Sequence, residues 1–429
     1  MEKNDPRYTN YLAILRKELV PAMGCTEPIA IAYNAAYARK LLGKLPEEIL
    51  VEASGNIIKN VKSVIVPNTG GHKGMEAAAA AGILYGDSTA GLEVIAKASH
   101  EDILKLDEYM KTAHIQTKPL DSTDVLDIRI TVKENNHWAV VRTAREHTNI
   151  IYAEKDGDIL TRKEKAEQEE TPAEGEPDYL SMNVRDILDF ASSCDLSDVM
   201  EILDPQIRLN SAIAAVGIAR NYGANIGKVL LKEDGDSLKN MAKAYAAAGS
   251  DARMSGCDMP VVINSGSGNQ GITCSVPVIL YSEKMGMSRE KMYRALLVSN
   301  LVTLHEKNGI GRLSAYCGAV SAGAGAGAGI AWLCSGGDEK SVTHTIVNAL
   351  AITSGIVCDG AKPSCAAKIA TAVDAGILGW QMYKNGQQFI GGDGLVTKGV
   401  ENTIDKISRL GKIGMKETDK EIIHLMTEC

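Results

Sequence analysis

The chain has 429 residues, with 46 Lys and Arg against 54 Asp and Glu, for a net charge of −8. This acidic balance argues against nucleic acid and anionic membranes as general partners, and no stretch is long and apolar enough to read as a membrane span. Nine cysteines without framework spacing, and a charged start (Met1-Glu2-Lys3-Asn4-Asp5-Pro6-Arg7) without a secretory apolar segment, predict a cytoplasmic protein whose thiols serve metal binding or catalysis.

In chain order, a helix is expected over Tyr8 to Val20 and a second from about Glu27 to Leu42, closed by Gly43. Thr26 reads as its N-cap and Pro28 lies in the permitted first turn. Cys25 is thereby held just before a helix start, where exposed N–H groups favour a thiolate, so it is a candidate base. Ile49 to Ser54 and Val61 to Pro67 read as strands leading into a Gly-rich turn with His72, either a general acid/base or a plain surface histidine. Further strands over Val125 to Val132, His137 to Thr143 and Asn149 to Ala153 make this half α+β. From Glu154 to about Asp178 the composition turns Glu-, Lys- and Pro-rich, which predicts a linker. The expected domains are therefore 1–180, α+β, and 181–429, mostly α-helical.

The second half has helical period nearly throughout, interrupted by Met259 to Gly271. Gly266, Gly268 and Gly271 match G-x-G-x-x-G, but no βαβ alternation surrounds them and Pro277 falls inside the helix that should follow, so a dinucleotide site is set aside. A nest of backbone N–H groups with Asn264, Ser265, Ser267 and Asn269, suited to a small carboxylate, is the better reading. Lys307, Asn308 and Arg312 precede Cys317 and are candidate anion contacts. The repeat Gly323 to Gly329 lacks the Lys-Ser/Thr of a phosphate loop and predicts close helix packing instead. Cys358 and Cys365 are separated by Gly360 and Pro363, which break a helix, and Ser364 can cap the helix that Cys365 opens, again favouring a thiolate. Three thiolates on separate loops could hold an iron–sulfur cluster with one iron open, whereas the tight C-x2-4-C knuckles of a zinc site are missing.

The run Leu304-His305-Glu306-Lys307-Asn308, with Tyr316-Cys317-Gly318-Ala319-Val320, Gly355-Ile356-Val357-Cys358-Asp359-Gly360 and Pro363-Ser364-Cys365, resembles the catalytic domain of iron–sulfur L-serine dehydratases. With Ala22-Met23-Gly24-Cys25-Thr26-Glu27-Pro28 at the amino terminus, the resemblance is closer to the L-cysteine desulfidase family. It implies a [4Fe-4S] cluster on Cys317, Cys358 and Cys365, and a substrate loop over Asn264 to Gly271. Cys25 stands where dehydratases carry a histidine, as base or as fourth cluster ligand, and Cys429 would be a resting-state ligand that substrate displaces. The implied reaction is β-elimination of L-cysteine to pyruvate, ammonia and hydrogen sulfide. Alternatives are an L-serine dehydratase on the same cluster and a non-catalytic redox sensor. A small amino acid is the expected substrate, and a homo-oligomer the expected assembly.

Overall fold

A computed structural model describes residues 1–163 and 176–427. Helix α1 (Pro6–Glu18) is capped by Asp5, whose side chain accepts from the Arg7 N–H. Strand β1 (Pro21–Met23) runs directly into α2 (Thr26–Leu42), which Gly43 closes at φ 79. Next come β2 (Glu48–Ala53), α3 (Gly55–Val61), α4 (Gly74–Tyr85) and α5 (His100–Thr112). Strands β3 (His114–Pro119), β4 (Asp127–Glu134), β5 (His137–Ala144), β6 (Ile150–Lys155) and β7 (Asp158–Arg162) follow.

The sheet order is β3-β2-β4-β5-β6-β7, with β2 and β3 parallel and every other neighbour antiparallel. Alternation decides its faces: Ile128, Ile130 and Val132 of β4 and Ala139 and Val141 of β5 join the core with α2 and α4, and Arg129 and Lys133 point to the open side.

Two expectations fail here. The run Val61 to Pro67 is not a strand: α3 ends at Val61, and a short turn region follows, bridged at Ile65 and Lys73. Val64 packs with Cys25 and Met254 and Val66 with the sheet core, so the β-branched residues are buried by tertiary contact, without a ladder. The linker does not begin at Glu154 either. β6 and β7 form a hairpin across Asp156 (φ 49) and Gly157 (φ 93), the two left-handed residues that such a turn requires. Residues 164–175 of the expected linker lie outside the described residues.

The helical body consists of α6 (Val184–Ser193), α7 (Met200–Ala219), α8 (Ile226–Asp234), α9 (Leu238–Met254), β8 (Pro260–Val262), α10 (Gly268–Lys284), α11 (Arg289–Ile310), α12 (Gly318–Ser335), α13 (Glu339–Thr353), α14 (Cys365–Lys384), α15 (Val400–Arg409) and α16 (Lys416–Thr427). α10 runs through Pro277, against expectation. Its residues from Gln270 to Ile279 are all buried, and this packing outweighs the roughly 3 kcal/mol cost of an interior proline. The chain enters the helical core before it builds the sheet: Tyr8 and Tyr11 pack on Phe190 at 5.2 and 5.3 Å, and β1 pairs with β8. A division at residue 180 therefore separates most, not all, of the two cores. Among the described residues no helix is long and apolar enough to cross a membrane.

The glycine-alanine repeat lies in α12, between α11 and α14. A Cβ at Gly323 would fall 2.4 Å from the Ala372 carbonyl oxygen of α14, and one at Gly329 would fall 2.8 Å from the Ala295 carbonyl oxygen of α11. Backbone meets backbone on both sides, as the repeat predicts.

Candidate functional site

Several element starts converge where the two bodies meet. Cys25 is the residue before α2, Cys317 the residue before α12 and Cys365 the first residue of α14. The loop carrying Cys358 is fastened to the one carrying Cys317: the Cys317 N–H donates to Ile356 O (3.2 Å) and the Cys358 N–H to Ala315 O (2.6 Å). Gly360, at φ 93, allows this loop to touch α3, because a Cβ there would lie 2.2 Å from the Lys59 carbonyl oxygen. All four thiols line one cavity of about 100 Å³.

Their ionisation differs from the local expectation. Burial, reinforced by the charge of Glu27, pushes Cys25 well above the ordinary thiol range, and its Sγ donates to Glu27 Oε2 at 3.0 Å. Cys365 is also raised, chiefly by burial. The helix-start field is real but smaller than the loss of solvation. Cys358 goes the other way: a hydrogen bond from Cys317 draws it down, Lys59 and Lys307 assist, and Cys317 is pushed up in return. The site thus favours one thiolate before anything binds.

Ser265, Ser267 and Asn269 line the same cavity. Asn264 does not; it sits behind the loop, fully buried, donating to Asn300 Oδ1 at 3.0 Å. The turn needs its glycines: Ser265 (φ 49) and Gly266 (φ 75) are left-handed, and a Cβ on Gly268 would lie 2.3 Å from Arg253 Nε. Lys307 lines the cavity, is buried and donates to Gly311 O at 2.5 Å; burial brings it down to about 8. Arg312 lines it too, but its guanidinium is already committed to Glu18, at 2.7 and 3.3 Å.

His72 lies elsewhere. Its Nε2 meets Asp107 of α5 at 2.5 Å on an exposed surface, because the turn that carries it packs toward α5 and away from the thiols. The histidine in the cavity is His147, in the turn between β5 and β6. It is buried, its Nε2 has no partner, and burial lowers its pKa, leaving a neutral imidazole against Gly266. Arg253, at the end of α9, is a second residue that sequence reasoning missed. It is buried, donates to Asn269 Oδ1 at 3.1 Å, leaves Nε unpartnered and meets no carboxylate among the described residues. Glu27 is the third; its position two residues after Cys25, in the first turn of the same helix, was the available signal. Cys429 lies outside the described residues, although α16 docks on α3 through Asp419, which accepts from Lys59 at 2.6 Å and Asn56 at 2.7 Å.

Glu306 of α11 is buried with neither carboxyl oxygen hydrogen-bonded, and burial, with the charge of Glu401 adding to it, raises its pKa well above 4.5. The native state therefore holds a proton that the unfolded chain loses near 4.5, and stability should fall as pH rises from there toward the native value. Glu306→Gln keeps a neutral isostere. It should remove that slope, about 1.4 kcal/mol per pH unit within the window, and match or exceed the parent at pH 7 in thermal midpoints. A parent-like slope in the variant would assign the proton to another group.

Among the described residues no group of three His, Cys, Asp or Glu side chains is placed to hold a single metal ion. The thiols are arranged instead around a cavity also lined by Arg253 and Lys307, which meet no carboxylate among the described residues, and by the turn from Ser265 to Ser267, an arrangement able to grip a small zwitterionic acid. Residues 89–424 match the family described as serine dehydratase alpha chain. A UPF0597 protein of Desulfitobacterium hafniense is 57% identical over 426 residues, covering 99% of this chain and 98% of its own. UPF0597 proteins of Lachnoclostridium phytofermentans and Finegoldia magna are 49% and 48% identical, covering 98% of this chain and 99% of their own. With the match spanning most of its length, the chain belongs to the serine dehydratase alpha chain family.

Proposed function

We propose that the protein is an iron–sulfur lyase that eliminates sulfide from L-cysteine, giving aminoacrylate, whose imine hydrolyses to pyruvate and ammonia. The supporting observation is one cavity that combines the thiols of Cys317, Cys358 and Cys365 with two buried cations, Arg253 and Lys307, that meet no carboxylate among the described residues. The donor set fits a [4Fe-4S] cluster: three soft sulfurs, one already drawn toward thiolate, around a shared space. When bound, the cluster supplies a Lewis acid for the carboxylate and the departing sulfur.

The chain's own residues do the rest. Arg253 and the turn from Ser265 to Ser267 hold the substrate carboxylate, with Lys307 adding charge from the same cavity lining. Cys25 passes its proton along its hydrogen bond to Glu27 Oε2, and its Sγ then takes the Cα proton, so the carboxylate acts through the thiol. Neutral His147 accepts or donates one hydrogen bond at Nε2, orienting the substrate's amino group. Cys429 serves as the resting-state ligand.

Membership of the serine dehydratase family favours a second reading, elimination of water from L-serine at the same site. After anaerobic reconstitution with iron and sulfide, pyruvate should form from L-cysteine well above L-serine, and deletion of Cys429 should shorten any kinetic lag. The reverse preference would make the protein a dehydratase. An intact cluster with no pyruvate from either amino acid would sink both readings.

A further inference from the structure

The open face of the sheet carries a feature that the elimination chemistry does not use. Cross-strand register places Arg129 opposite Arg142, Arg142 opposite Tyr152, and Tyr152 opposite Arg162, one continuous row across β4, β5, β6 and β7. Like charges directly opposite one another destabilise a sheet, so a row of three arginines in a chain of net charge −8 needs a counter-charge. The available carboxylates supply only part of it. Asp127 neutralises Arg142 with a two-pronged contact at 2.9 and 2.6 Å. Glu52 reaches Arg129 only at 3.6 Å and Asp124 reaches Arg145 only at 3.9 Å. Arg162 makes no ion pair among the described residues, and Lys163 donates to the neutral Asn149 side chain at 2.8 Å. These groups surround a cavity of about 400 Å³ whose lining holds four arginines and a lysine against one acid, Asp124.

We propose that this cavity is a second ligand site, taking a small multivalent oxyanion such as a phosphate-bearing or polycarboxylate metabolite, and that its occupancy is transmitted to the catalytic cavity through the turn between β5 and β6. Guanidinium groups from three strands, β4, β5 and β7, and from the turn after β5 present several N–H forks to one space, the geometry that suits phosphate or carboxylate oxygens. The cavity is a bowl sized for a small molecule, which separates it from the long basic tracks that follow a nucleic-acid backbone.

The link to the catalytic site is three consecutive residues. Arg145 lines the basic cavity at a left-handed φ of 71, Glu146 contacts Lys17 at 3.2 Å and Arg312 at 3.9 Å, and His147 lines the cavity of the thiols. The ladder between β5 and β6 also shifts register at Arg142 and Thr143, just before this turn. Irregularities of this kind re-aim side chains beside functional sites. An anion that draws Arg145 inward therefore acts on the backbone that positions His147.

The binding half of this proposal is independent of the elimination reading; only the meaning of His147 rests on it. The test uses the full chain and two probes, inorganic phosphate and citrate, titrated by calorimetry. Saturable binding of at least one is expected, and whichever binds more tightly identifies the ligand as phosphate-bearing or polycarboxylate. The double variant Arg129→Gln/Arg162→Gln should bind roughly tenfold more weakly or worse while keeping the parent's circular dichroism; Arg142 is left alone because its loss would strand buried Asp127. No saturable binding by the parent, or equal binding by the double variant, overturns the site. Hydrogen exchange reads the coupling without turnover: the amides of residues 145–149 should gain protection with the tighter probe in the parent only, and unchanged exchange overturns the transmission.

Discussion

Replacing Cys358 by alanine should give a protein that retains no iron–sulfur cluster after anaerobic reconstitution and makes no pyruvate. Replacing Cys25 by alanine should leave the iron content intact and lower turnover by about 10²- to 10⁴-fold, the range for loss of a positioned base. The two thiols line the same cavity, so proximity does not distinguish them; their partners do. Cys358 is the thiol drawn down by the Cys317 hydrogen bond and by Lys59 and Lys307, which suits the ligand role proposed for it. Cys25 is a protonated thiol whose Sγ donates to a carboxylate, the arrangement of a group that exchanges protons. Glu27→Gln should keep Cys25 buried but remove its proton acceptor, so turnover falls with Cys25 still present. The measurements are iron and sulfide per chain, the visible spectrum and pyruvate formed. If Cys25→Ala lost the cluster, Cys25 would be a ligand, and if Cys358→Ala kept a full one, the proposed ligand set would be wrong.

What could be read from the sequence was whatever local chemistry determines. Cys25, Cys317 and Cys365 were legible because helix starts have a grammar, and each does stand at the start of a helix. β4 and β5 were legible as strands over nearly their observed spans. The ionisation of those cysteines was not, since it depends on how much of the protein closes over them, and burial then exceeds the helix-start field at Cys25 and Cys365. His72 and His147 show the same limit. Both sit in turns with small and polar neighbours, and only the packing of the β5–β6 turn against Gly266 brings His147 to the cavity. Arg253 ends an ordinary-looking helix, and nothing near it in sequence marks it as a buried cation. The hairpin of β6 and β7 was legible in principle: Asp156-Gly157 is a strong turn signal, outweighed in the reading by the charged composition that follows it.

Gly376→Ala should destabilise the protein by about 1–3 kcal/mol, the range for overpacking a closed interface, and lower cluster occupancy in the same samples. In an exposed helix the same change stabilises by up to about 1 kcal/mol, so the predicted sign rests on the contact between α12 and α14. A Cβ on Gly376 would lie 2.2 Å from the Gly323 carbonyl oxygen, and the reciprocal Cβ on Gly327 would lie 2.6 Å from the Gly376 carbonyl oxygen. Neither neighbour is a flexible side-chain end, so the two helices must separate. That movement reaches the site because α12 begins just after Cys317 and α14 begins at Cys365. Widening their contact shifts two of the three proposed ligands relative to each other, and a cluster tolerates little change in the spacing of its thiolates. Gly355→Ala is the control: it lies close to Cys358 in sequence, has open space where its Cβ would go and should leave both readouts unchanged. Thermal midpoints and iron per chain, measured together, decide the matter. Parent-like values for Gly376→Ala would mean that the helices have slack, and that the glycine repeat does not set the spacing of the thiols.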